Sequence, residues 1–172
     1  MWTDSSTGLQ PLWDGLVPER LSSSSATSCP LPPRFEAVGD ARRFTRSILR
    51  AWDLDALQDG VELVASELVT NALRYALPED ATEGCVRLSL VRWSTRVVCA
   101  VRDPSSHGPV TKAPDFVAES GRGLHLVESF SETWGWHPLS GAGKVVWALF
   151  TLPGEPEELG EPGKNEDGAP SP

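Results

Sequence analysis

Between Glu36 and Trp52, Val38, Ala41, Phe44, Ile48 and Leu49 (or Ala51) recur at helical spacing, which predicts a helix with one face turned to a core. The run Asp53-Leu54-Asp55 ends it, and Asp55 is placed to cap a second helix that carries Val61, Val64, Leu68, Ala72 and Tyr75 and stops before Pro78. Leu63, Ala65 and Val69 lie off that stripe, and a helix apolar on more than one side is a buried one. The pattern then shortens to a period of two. Val86, Leu88 and Leu90 alternate with Arg87 and Ser89, Ser94-Thr95 turns the chain, and Val97 to Val101 returns it. That two-residue turn sets Leu90 against Cys99, Leu88 against Val101 and Val86 against Asp103. From Pro104 to Ser120 there is no periodicity, and the stretch is longer than an ordinary connection, as lids, binding loops and disordered segments are. A short helix opens at Gly123 with Leu124, Val127 and Phe130. Two strands follow, Thr133 to Leu139 and Lys144 to Leu152, joined through Gly141-Ala142-Gly143. A short edge strand at Thr27 to Leu31, stopped by Pro30, Pro32 and Pro33, precedes the first helix. Early helices followed by hairpin-linked strands predict an α+β two-layer sandwich, with helices on one face of a mixed, largely antiparallel sheet.

Composition changes this picture mainly at the ends. At 172 residues, 40% apolar and 23% charged, the chain suits one globular domain with two loose ends. Residues 153–172 contain no Val, Ile, Phe or aromatic residue, and six acidic side chains there face only Lys164. Over half of the net charge of −9 sits in this stretch, which has nothing with which to build a core. The expected division is therefore a flexible segment 1–24, a domain 25–152 and a disordered acidic tail 153–172. An acidic chain lacks the footprint of a nucleic-acid binder, and no apolar run is long enough for a membrane span. The N-terminus lacks the basic-then-apolar order of a secretion signal. Cys29, Cys85 and Cys99 have no metal-ligand spacing, so reduced thiols in a cytoplasmic protein are expected.

Three features carry candidate chemistry. Glu67 and Asn71, four residues apart, leave the same side of the buried helix, where a carboxylate and an amide need partners. A hydrated Mg²⁺ and a polyphosphate would satisfy both. Asp103 continues the inward face of Cys99 and Val101, at the end of its strand, where a base amine is a suitable donor. Gly121-Arg122-Gly123-Leu124 joins the long loop to a helix, letting backbone approach an anion at the helix start. Other nucleotide motifs fail. Gly143-Lys144-Val145 is no P-loop, no G-x-G-x-x-G follows a strand, and H-R-D and D-F-G are absent. His107, His125 and His137 have no ligand spacing. Trp134, Trp136 and Trp147 alternate in strands as core or sheet-face residues.

In this order the features resemble the GHKL (Bergerat-fold) ATP-binding domain, and within it the stand-alone bacterial anti-sigma-factor serine/threonine kinases. Glu67-Leu68-Val69-Thr70-Asn71-Ala72 is similar to the N-box and Val101-Arg102-Asp103 to the adenine-binding box. Gly121-Arg122-Gly123-Leu124 is similar to the phosphate-binding glycine box, and Gly143 to Trp147 to the closing strand. The resemblance spans about Arg34 to Leu152. It implies ATP and Mg²⁺ as cofactors, Asn71 on the metal, Glu67 as general base, Asp103 on the adenine amine, and Gly121, Arg122, Gly123 and Leu124 at the phosphates. The implied activity is phosphorylation of a STAS-type antagonist together with sequestration of a sigma factor, by a protein that is a possible homodimer. A domain that only holds ATP and switches partners is the alternative. Where the family commonly has a glycine two residues after the aspartate, this chain has Ser105, with Pro104 between. No dimerisation-and-histidine segment precedes the domain, so a sensor histidine kinase is not expected.

Overall fold

The computed structural model describes residues 24–109, 122–141 and 143–152. Among these residues five strands and three α-helices follow one another as β1 (Ser24–Leu31), α1 (Ala37–Ala51), α2 (Gln58–Tyr75), β2 (Val86–Trp93), β3 (Arg96–Asp103), α3 (Arg122–Phe130), β4 (Thr133–Pro138) and β5 (Lys144–Thr151). The strands form one sheet in the order β1-β2-β3-β5-β4, and all four pairings are antiparallel. The helices lie on one face of it, which gives the α+β sandwich expected from the pattern.

The β2–β3 hairpin pairs Leu90 with Cys99 and Leu88 with Val101, as the two-residue turn predicts, with Ser94 in the left-handed region at φ 51°. Val86, Leu88 and Leu90 of β2, Val97, Cys99 and Val101 of β3, and Val146, Ala148 and Phe150 of β5 share the face beneath the helices. Each fully buried Leu or Val among them contributes about 1.5–3 kcal/mol relative to exposure. The central strands are apolar on the other face as well, where Val91, Val98, Ala100, Val145 and Leu149 form a second cluster with Trp147 and Leu139 packed against it.

α1 ends where expected, and the reason is backbone geometry: Asp53 takes φ 57°, a conformation that short polar side chains tolerate. Leu54 N–H then reaches back to the Leu49 carbonyl at 2.9 Å. The expected cap by Asp55 is corrected, because Asp55 lies inside a short 3-10 turn, Asp55–Leu57, and no side-chain hydrogen bond caps α2. Tyr75 also departs from its predicted inward stripe: it stands 61% exposed in a last turn whose Ala72, Leu73 and adjoining Ala76 are buried, and it lines a cavity rather than the core. Val61, Val64, Ala65, Leu68, Val69, Ala72 and Leu73 of α2 are buried as the pattern requires, enclosed between sheet and helices, while Leu63 is half-buried. Of the three tryptophans expected to alternate in the last strands, Trp134 packs on the main core and Trp147 on the second cluster, while Trp136 is 41% exposed on β4. Segments 1–23 and 153–172, and most of the predicted loop, lie outside the described residues.

Candidate functional site

A cavity of about 310 Å³ opens between α2, the β3 end, the start of α3 and β5. Its size lies at the lower end of ordinary small-ligand sites. Glu67, Thr70, Asn71 and Arg74 line it from α2, Asp103 and Ser105 from the end of β3, Gly123 and Leu124 from α3, and Lys144 and Val146 from β5. The structure therefore gathers Glu67, Asn71, Asp103, Gly123 and Leu124 around one space. Arg122 is the first residue of α3, and Gly121 lies outside the described residues.

Glu67 and Asn71 reach the cavity because α2 is buried on its other sides, so that a polar residue at these two positions has only the cavity to face. A second carboxylate on the same helix shows the contrast. Glu62, five residues earlier, is tied to Arg46 of α1 through two hydrogen bonds of 2.9 and 2.8 Å. None of the ion pairs among the described residues involves Glu67. One carboxylate of α2 fastens helices together, and the other is left to the cavity.

The start of α3 meets this pair at close range. A Cβ at position 123 would stand 2.7 Å from Glu67 Oε2 and 3.6 Å from Asn71 Oδ1, so only glycine brings backbone this near. The first N–H groups of α3 thus lie at the wall that holds the carboxylate and the amide, in the setting where a helix start favours an anion.

Asp103 points inward, as strand parity predicts, and is 3% exposed. Burial pushes its carboxyl above the usual carboxylate range; the Lys144 ammonium and the Ser105 N–H pull against that rise. Lys144 Nζ lies 2.9 Å from Asp103 Oδ1, and Ser105 N–H donates to the same oxygen at 2.9 Å. Lys144 faces Asp103 directly across the β3–β5 pairing. Sequence reasoning did not single out Lys144; the only signal would have been the β3–β5 register, which crosses a long loop, a helix and a strand. Gly143, at φ 91°, makes the pairing possible, because a Cβ there would run into the Asp103 carbonyl. Ser105, where the resembled pattern has glycine, supplies through its backbone a contact that any residue but proline can make.

Among the described residues no three His, Cys, Asp or Glu side chains are grouped to hold a metal. Asn71 Oδ1 lies beside Glu67 in the cavity wall, an oxygen of the kind that could serve an ion taking one or two protein oxygens and completing its shell with phosphate and water. Among the described residues no helix is long and apolar enough to cross a membrane.

A family model described as a histidine kinase-like ATPase domain matches residues 31–150. Comparison with curated proteins finds no significant match. Among solved structures, the RsbU and RsbW domains of Rv1364c from Mycobacterium tuberculosis are similar in fold, with a TM-score of 0.57 at 15% identity. That likeness covers 74% of this chain and 32% of the other, so the chain spans about a third of that protein's length. The histidine kinase AdeS from Acinetobacter baumannii aligns over 74% of this chain and 68% of its own, at 16% identity and a TM-score of 0.41.

Proposed function

The chain belongs to the histidine kinase-like ATPase domain family, and on that premise we propose that it is an ATP-dependent serine/threonine protein kinase working in partner switching. The observation that carries the reading is the meeting of Gly123 with Glu67 and Asn71, at 2.7 and 3.6 Å from its Cβ position, in the wall of a cavity that Asp103 also lines. The first group suits a polyphosphate, and Asp103 suits a base.

In this reading Asp103 accepts from the base amine, Arg122, Gly123 and the preceding Gly121 hold phosphate oxygens with the α3 start, and Leu124 packs alongside. Asn71 Oδ1 would hold a Mg²⁺ ion, which when bound would supply positive charge to a transferring phosphoryl group. Glu67 accepts the proton of the attacking serine hydroxyl or water. The protein's share of catalysis is thus positioning and a base, within a cavity walled by Leu68, Ala72 and Val146. By the resemblance of its N-box and glycine box, the substrate is a STAS-type antagonist and the second partner a sigma factor. The chain acts in the cytoplasm, and residues 25–152 are the working unit.

The test is ATP–Mg²⁺ binding and turnover by the full chain and by Glu67→Gln. The wild type should bind ATP and hydrolyse it slowly, and the variant should bind equally while turnover falls about a hundredfold or more. Equal turnover removes Glu67 from the chemistry. Binding without turnover in either protein leaves the non-catalytic partner switch, and no binding in either rejects the site.

A further inference from the structure

Lys144 is a buried lysine in the cavity wall, its side chain 7% exposed, for which nucleotide binding as described above has no use. Its surroundings divide the Asp103 carboxylate in two. Oδ1 accepts from Lys144 Nζ and from Ser105 N–H, both at 2.9 Å. No hydrogen bond among the described residues reaches Oδ2. Thr45 Oγ1 is the one side-chain polar atom among them that is both sealed and without a partner, so Oδ2 is not sealed, on a residue that lines the cavity.

The ammonium is divided in the same way. Of its three protons, one goes to Asp103 Oδ1 and one toward the Ser105 carbonyl at 3.4 Å. The third has no partner among the described residues. The end of the cavity therefore presents a charged acceptor and a charged donor side by side, both fixed by the antiparallel pairing of Asp103 with Lys144.

We propose that Lys144 is a second base-reading residue, which donates to the ring nitrogen next to the exocyclic amine that Asp103 Oδ2 accepts. The pair then requires an edge with a donor beside an acceptor, as a 6-aminopurine has. A 6-oxopurine reverses both: its oxygen faces the carboxylate and its N1–H faces the ammonium. Two like groups buried against each other reject the wrong base more strongly than a missing contact would. This selectivity rests on the purine-nucleotide reading of the cavity.

Calorimetric titration of the full chain with ATP and with inosine triphosphate tests it. The wild type should prefer ATP by about tenfold or more. In Lys144→Met, ATP affinity should fall about tenfold, and the preference should shrink to roughly threefold or less. Lys144→Arg, which keeps a cationic donor, should retain most of the preference. A wild-type preference for inosine triphosphate, or equal affinities, overturns the proposal with no variant needed. So does a folded Lys144→Met that still discriminates as the wild type does, while ATP binding itself stands. Failure of both nucleotides to bind the wild type rejects the cavity reading and this inference with it.

Discussion

Two carboxylates of one helix illustrate how residue-level environment sets a role. Glu62 has two guanidinium hydrogen bonds and little exposure, whereas Glu67 has the cavity. The closeness of Gly123 to Glu67 makes a specific prediction. In Gly123→Ala the added methyl meets the far end of a flexible side chain, so the carboxylate swings aside and the fold survives. Tm should change little, while phosphoryl transfer falls roughly tenfold to a hundredfold because the base is misplaced. Asp103 makes another. Its folded pKa is raised by burial, so the folded chain binds a proton more readily than the unfolded one between the two pKa values. The sign is that Asp103 favours folding on the acid side and loses this contribution as pH rises through its folded pKa. The base recognition we propose for Asp103 runs the other way, because it needs the ionised oxygen. ATP affinity should therefore decline on acidification while ordinary aspartates are still ionised, and Asp103→Asn should flatten that decline in a pH series of titrations.

At the level of elements, α1 and α2 are held by Arg46 on Glu62 and by Arg42 donating to Ser66 at 2.7 Å, on the flank of α2 that does not line the cavity. Glu62→Ala is expected to lower Tm by a few degrees and to leave ATP affinity unchanged, which a thermal scan with and without ATP–Mg²⁺ would read. The turn before β5 has the opposite character. Gly143 combines φ 91° with backbone contact to Asp103, so Gly143→Ala strains both the turn and the base end of the cavity. A loss of about 2 kcal/mol in urea unfolding is expected, and unlike Glu62→Ala it should weaken ATP binding as well.

For the whole molecule, the core and the cavity are built from the same sheet face, with Cys99 and Val101 leading along β3 to Asp103 and Ala148 leading along β5 to Val146 and Lys144. Folding the sheet in register is thus the act that sets Asp103 and Lys144 side by side in the cavity wall. The acidic residues 153–172 bring no Val, Ile, Phe or aromatic residue to that core. Their removal should leave Tm and ATP affinity unchanged while lowering the net negative charge, and a fall in Tm would assign the tail a packing role.

The chain's periodicity was enough to locate the helices and the strands, because burial on one face imposes a repeat that local spacing displays. Parity along β3 likewise turned Asp103 inward, and the near-continuous apolar surface of α2 marked Glu67 and Asn71 as polar residues with a purpose. Asp55 as a cap and Tyr75 as a core residue misled, since propensity and spacing do not show a short 3-10 turn ahead of a helix or a cavity beside it. Lys144 was beyond reach for a related reason. A lysine after a glycine turn reads as a solvated side chain, and only the pairing of β5 with β3 sets it opposite Asp103. Local pattern determines which residues are buried; which buried residues meet is a matter of register between strands far apart in the chain, and that is decided by the tertiary fold alone.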